Sequence, residues 1–277
     1  MNPIINYRII FSDIDGTILN EQKDISEQTI AVAHQLFEQK NIPTVLISAR
    51  MPAAIKHLSE KLCPSAPLIA YNGALIIQHT NGENIILHSK TFPSEVARYA
   101  IEQSLTEGFH VGLYYQDRWI VNGNDSWTQH EIYSTKIHPE IIDGNTMLSL
   151  IDSEVPNLQK LMVMAPSVTI DKFAKLITEK FSDVATVYRS ADTYLEVTPS
   201  GCDKRQGVET LLANLAIEPF QAIAFGDNYN DLEMIKFVGM GVAVENARET
   251  VKAAANMMTG QGTKDGVAKA LKHIFEL

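Results

Sequence analysis

The chain has 277 residues, 45% of them apolar and 20% charged, with 23 basic against 33 acidic side chains and a net charge of −10. At ~150 residues per domain that is material for about two domains with buried cores, and it excludes intrinsic disorder. The acidic balance, without any Lys/Arg cluster, excludes a nucleic-acid groove or an anionic membrane surface as the expected partner.

Cys63 and Cys202 stand alone, with no CxxC pair or zinc spacing, which suits a reducing, cytoplasmic compartment. The apolar stretch from Arg8 to Ile14 contains Asp13, and that from Leu68 to Ile77 is broken by Asn72 and Gly73. Neither is a signal peptide or a membrane span, which needs ~20 apolar residues.

From the N-terminus, short apolar runs alternate with helical patterns: a strand Arg8–Ser12, a helix Ser26–Gln39, a strand Thr44–Ser48, a helix Pro52–Leu62 and a strand Leu68–Tyr71. This is the βαβαβ order of a parallel sheet. Ile30, Ala33, Leu36 and Phe37 repeat on one face of the first helix, and Pro52 suits the first turn of the second. The same grammar returns late, with a helix carrying Val208, Leu211, Leu212 and Leu215, a strand Ala222–Phe225, a helix with Leu232 and Ile235, a strand Gly241–Val244 and two closing helices.

Between these halves lies a different pattern that occurs twice. One copy is a helix Ser94–Glu107 followed by strands Phe109–Tyr115 and Arg118–Val121; the other is a helix Thr169–Lys180 followed by Val184–Tyr188 and Thr193–Val197. Two copies of helix, strand, strand predict an inserted α+β domain with an antiparallel sheet and helices on one face. The expected boundaries are 1–84 and 198–277 for the split α/β core and 85–197 for the insertion, with crossings near Gln78–Glu83 and Thr198–Gly201. Residues 122–160, rich in turn pairs, carry no assigned topology.

In an open α/β sheet, ligands bind beyond the carboxyl ends of the strands. There this chain carries Asp13-Ile14-Asp15-Gly16-Thr17, Ser48-Ala49-Arg50, Asn72-Gly73 and Gly226-Asp227-Asn228-Tyr229-Asn230-Asp231, with Lys204 ahead of a helix. Singly, each is explained as a turn, a cap or a solvated charge. Together they bring Asp13, Asp15, Asp227 and Asp231 to one rim, where two carboxylates ~4 Å apart repel by ~4 kcal/mol at an effective dielectric of ~20. A hard cation such as Mg²⁺ among these oxygens removes that cost, and a phosphate would complete its shell. The Ser48 hydroxyl, the Asn230 amide, the Lys204 ammonium and nearby backbone N–H groups are donors for phosphoryl oxygens. Asp13 and Asp15 then divide the work of nucleophile and acid.

In this order, Asp13-Ile14-Asp15-Gly16-Thr17, Ser48, Lys204 and Gly226-Asp227-Asn228-Tyr229-Asn230-Asp231 resemble the four motifs of haloacid dehalogenase-like phosphatases, and the position of the insertion resembles the Cof-type subfamily. The resemblance implies a Rossmann-like core with helices on both faces of a parallel sheet and an α+β cap. It implies an aspartyl-phosphate on Asp13, general acid and base work by Asp15, and phosphate binding by Ser48, Lys204 and Asn230. Mg²⁺ would be held by Asp13, the Asp15 backbone carbonyl and Asp227, while Asp231 would support the metal through water or orient Lys204. Arg50 and Asn72 would shape the substrate side near the cap. Ala49 and Asn228 depart from the family, which often has Gly at both positions, and they bear on substrate fit.

The expected function is hydrolysis of a small phosphorylated metabolite, such as a sugar phosphate or phosphorylated cofactor, by a monomer or weak homodimer. A phosphomannomutase-like phosphomutase keeps this chemistry but returns the phosphoryl group to a sugar. A catalytically silent phosphometabolite-binding regulator has little need for both Asp13 and Asp15. Tyr114, Tyr115, Arg189, Tyr194 and Glu196 are cap candidates for touching the rest of the substrate.

Overall fold

The computed structural model describes residues 6–80, 82–155 and 157–277. They form two compact units, one from the chain up to His88 together with Asp203–Leu277, the other from Ser89–Cys202. These junctions fall a few residues beyond the expected ones, and the strands Glu83–Ser89 and Tyr194–Pro199 run up to them. The stretch Gln78–Glu83 is not a crossing. It holds the turn between the strands Leu75–Thr80 and Glu83–Ser89, with Gly82 at φ 84°, while Asn81 lies outside the described residues.

The first unit is built on a five-stranded sheet in the order Met257–Met258, Met240–Ala243, Ala222–Gly226, Ile9–Ser12, Thr44–Leu46, all pairs parallel. A lone parallel bridge, Ile47 to Ile69, joins it to Leu68–Ala70, which pairs antiparallel with Leu75–Thr80. Every residue of Ile9–Ser12 and Ala222–Gly226 is buried, as expected of parallel strands covered on both faces. Ile9, Phe11, Val45 and Ala224 share one core with Val208, Leu211 and Leu212 from the helix Lys204–Leu215.

Local chemistry sets the helix ends. Ser26 caps Glu27–Lys40 by accepting from Thr29 N, and Asn41 closes it in the left-handed region. The buried stripe of that helix runs through Thr29, Val32, Ala33 and Leu36, with Ile30 and Phe37 at its margins. Pro52 opens Pro52–Leu62, where its missing N–H costs no helical bond.

The second unit carries a six-stranded sheet in the order Ala185–Ala191, Tyr194–Pro199, Lys160–Met164, His110–Tyr115, Arg118–Val121, Glu140–Ile141. Helices Ser94–Glu107, Gly144–Ser153 and Ser167–Phe181 pack on one face. Val96, Ile101, Met147, Ile151, Phe173 and Ile177 share a core there with Val111, Leu113, Leu161, Val163, Leu195 and Val197. The two helix-strand-strand copies are present, but their hairpins do not touch directly. Lys160–Met164 runs between them, antiparallel to both His110–Tyr115 and Tyr194–Pro199. All five of its residues are buried, so the period-2 alternation that betrays a strand is missing.

That central strand makes Leu161 a test of the second unit's core. Leu161→Ala is expected to cost about 2–5 kcal/mol, read as a lower urea midpoint of the full chain. Ile85→Ala, at a 47% exposed position, should stay within about 0.5 kcal/mol of the parent.

Candidate active site

The parallel register brings the acidic motifs together. Ile9–Ser12 lies beside Ala222–Gly226 with Ser12 opposite Phe225, and Asp13 N continues the ladder by donating to Phe225 O at 3.0 Å. Asp13 and Asp227 therefore leave neighbouring strands at the same edge. On the other side Ile47 N donates to Ser12 O at 3.0 Å, which sets Ser48 next to that edge. Ser48 is itself held by two bonds: its N–H donates to Ile69 O at 3.0 Å and its carbonyl accepts from Asn72 N at 2.9 Å.

Lys204 enters from the start of its helix. Asp203 caps that helix by accepting from Gln206 N at 2.7 Å, which makes Lys204 the first helical residue. The helix start sits directly on the turn Tyr71–Gly73: a Cβ on Gly207 would lie 2.8 Å from Gly73 Cα, and one on Gly73 would lie 2.5 Å from Asp203 O. Tyr71 and Asn72 in this turn hold left-handed φ values of 53° and 52°, strain of the kind found at functional sites.

Lys204 is 1% exposed, and its Nζ donates to Asp13 Oδ1 and to Asp231 Oδ1, each at 2.5 Å. The other Asp231 oxygen accepts from the backbone N–H groups of Asp227 at 2.9 Å and Asn228 at 3.0 Å. Asp231 thus braces both the lysine and the Asp227 turn. Thr17 Oγ1 donates to Asp227 Oδ1 at 3.0 Å, tying the first acidic motif to the last. Gly16, at φ +87°, allows this approach, since a Cβ there would come within 2.5 Å of Asp227 Oδ2.

Each of Asp13, Asp227 and Asp231 offers an oxygen, and these atoms lie within 4.8 Å of one another. Three carboxylates against one ammonium leave two negative charges in a largely buried space. The ionisation equilibria reflect that surplus. Burial pushes the Asp13 carboxyl above the usual carboxylate range, against the pull of Lys204 and with help from the Asp231 and Asp227 charges. Asp227 is likewise raised, by burial first and then by Asp231. Burial works against the charge on Lys204, but Asp13 and Asp231 outweigh it and hold the ammonium above its ordinary value. An all-oxygen donor set with two uncompensated charges fits a hard divalent cation.

Asp15 departs from the expected cluster. Its carboxylate, 49% exposed, turns to Arg50, whose Nε and Nη2 donate to its two oxygens at 2.8 and 2.7 Å. Charge pairing in a bidentate fork outcompetes a place among three like charges. Arg50 N also donates to Ser48 Oγ at 3.2 Å, and Asn230 Nδ2 donates to Asn72 Oδ1 at 3.4 Å, which places Arg50 beside Ser48 and Asn72 beside Asn230. Ala49 and Asn228 do not have positive φ, and Asn228 Oδ1 caps its own turn by accepting from Tyr229 N at 2.9 Å, so neither position requires glycine.

Sequence reasoning missed Asn246, which donates to Gly16 O at 2.8 Å across 230 residues, a separation that no local pattern announces. Of the cap candidates, Tyr114 stacks on Trp119, Glu196 pairs with Lys160 at 2.8 Å and Tyr194 meets Trp127 edge-on. Tyr115 packs against the helix-side core, and Arg189 is engaged by Asp171 and by Ser167 Oγ.

A family profile described as haloacid dehalogenase-like hydrolase matches residues 10–271. A solved haloacid dehalogenase-like hydrolase from Bacteroides thetaiotaomicron is similar at a TM-score of 0.88 and 32% identity, covering 97% of this chain and 100% of the other. A Haemophilus influenzae chain with a provisional phosphatase name is 31% identical over 274 residues, covering 97% of this chain and 98% of its own. Bacillus subtilis YitU, named as a 5-amino-6-(5-phospho-D-ribitylamino)uracil phosphatase, is 25% identical over 281 residues, covering 97% and 98%. The chain, whose acidic motifs meet at one sheet edge around a buried lysine, belongs to the haloacid dehalogenase-like hydrolases.

Proposed function

We propose that this protein is a Mg²⁺-dependent phosphatase that hydrolyses a small phosphate monoester in two steps through Asp13. The observation that carries the reading is the buried Lys204 ammonium bridging Asp13 and Asp231 beside Asp227. A merely structural ion pair has no use for a third carboxylate and two surplus negative charges. Relatives named as phosphatases, among them YitU and an Escherichia coli HMP-PP phosphatase 26% identical over 247 residues, support the reaction class.

In the first step an Asp13 carboxylate oxygen attacks phosphorus, an O–P bond forms, and the bond from phosphorus to the ester oxygen breaks as Asp15 gives that oxygen a proton. In the second, Asp15 takes a proton from water, whose oxygen attacks phosphorus and releases inorganic phosphate and the Asp13 carboxylate. Lys204, Ser48 and Asn230 donate to phosphoryl oxygens. Lys204 also pulls Asp13 toward its ionised form, offsetting part of the cost of burial. Asp13, Asp227 and the Asp15 backbone carbonyl would hold Mg²⁺, which would supply positive charge to offset that of the phosphoryl group. Arg50 restrains the exposed Asp15 carboxylate at the rim, where a leaving group and a water both have access. Ala49, Arg50 and Asn72 face the rest of the ester.

The substrate is a small phosphorylated metabolite, and the cytoplasm is the proposed compartment. Among the described residues no helix is long and apolar enough to cross a membrane.

Asp13→Asn should lower phosphate release from any accepted ester by at least about a thousand-fold with unchanged far-UV circular dichroism; near-parental turnover refutes Asp13 as nucleophile. Stripping the protein with EDTA should abolish activity, and added Mg²⁺ should restore it. Mg²⁺ should also raise the melting temperature of the stripped protein, because it neutralises charges that oppose folding, while Asp227→Asn should respond far less. The pH dependence has a definite sign. Asp13 and Asp227 have raised folded-state pKa values, so the stability they contribute is lost as pH rises from their unfolded range near 3.8 toward the folded values. The stabilisation by Mg²⁺ is therefore expected to be larger at pH 8 than at pH 5.

A further inference from the structure

Asn246 is an exposed residue, yet both ends of its side-chain amide are bonded. Its Nδ2 donates to Gly16 O at 2.8 Å and its Oδ1 accepts from Gly262 N at 2.9 Å. The backbone of Gly262 is pressed against the same loop: a Cβ there would lie 2.4 Å from Gly16 O and 2.6 Å from Thr17 O. Two residues beyond Asn246, Arg248 N donates to Asp227 O at 2.8 Å. One short segment thus holds the turns that carry Asp15 and Asp227.

The residue type follows from the geometry. The Gly16 carbonyl needs a donor and the Gly262 N–H needs an acceptor, and an amide side chain supplies both at once. Asp offers no donor, and Ala offers neither group. Gly16, at positive φ, has no side chain to lock it, and within the turn its following peptide is held only on the N–H side, by a long bond from Thr17 N to Ile14 O at 3.4 Å, so the bond from Asn246 fixes the carbonyl side. Thr17 anchors the turn to Asp227 through its side chain, and Asn246 anchors the Gly16–Thr17 peptide, the second peptide after Asp15.

We infer that Asn246 is a positioning residue for Asp15: by pinning the Gly16 carbonyl it fixes the direction from which the general acid meets the leaving oxygen. The inference rests on the reading of Asp15 as that acid. Truncating an exposed amide leaves no core cavity, so its effect on stability is small and its effect on aim is separable.

The test uses the full chain with Mg²⁺ and two esters, p-nitrophenyl phosphate, whose leaving group needs little protonation, and an alkyl phosphate, whose leaving group needs much. The readout is kcat/KM, which covers steps only through departure of the leaving group. Asn246→Asp, which keeps the acceptor and removes the donor, should lower kcat/KM for the alkyl ester about 10- to 100-fold and for p-nitrophenyl phosphate no more than about threefold. Asn246→Ala should behave alike. In parallel, hydrogen exchange of the peptide covering residues 13–20 should speed up in both variants while peptides of the second unit stay unchanged. Equal losses on both esters, or no loss on either, would overturn the assignment, as would unchanged exchange in that peptide. If the parent protein cleaves neither ester, the phosphatase reading fails, and the exchange measurement still decides whether Asn246 holds the loop.

Discussion

The interaction on which the rest depends is the buried ammonium of Lys204 held between Asp13 and Asp231. It is a solution to a local excess of negative charge, and an incomplete one. Asp231 has three of its roughly four acceptor sites filled, one by the lysine and two by backbone N–H groups. Asp13 and Asp227 are left facing each other with raised proton affinity. A fold that stops there holds a cluster with two formal charges uncompensated, and a divalent cation among the same oxygens would balance them.

The architecture serves that cluster. Adjacent parallel strands end side by side, so Asp13 and Asp227, far apart in the chain, arrive at one edge, with Ser48 beside them. The helix carrying Lys204 reaches the same edge because Gly207 and Gly73 permit backbone contact where any side chain would separate them. Asp15 stands apart at the exposed rim, paired to Arg50. The two aspartates of the first motif therefore occupy different dielectric environments, and this is the physical basis for giving them different roles.

Much of this was legible in the amino-acid order. The helix Pro52–Leu62 and the strand Arg118–Val121 have the expected bounds, because proline, periodicity and turn residues mark their ends. The motif residues were legible because polar groups at the ends of apolar strands are conspicuous. The central strand Lys160–Met164 was not, since full burial erases alternation. The pairing of Asp15 with Arg50 was hidden as well: spacing tells which residues share an edge but not which charge each side chain chooses. Asn246 was invisible for another reason, since its value lies in two backbone partners, one of them 230 residues away.

The most direct measurement is anomalous diffraction from crystals of the protein grown with Mn²⁺ in place of Mg²⁺. The account expects a single strong peak bonded to carboxylate oxygens of Asp13 and Asp227, with Lys204 still contacting Asp13. A peak elsewhere, or no peak while those carboxylates turn away from one another, would contradict it.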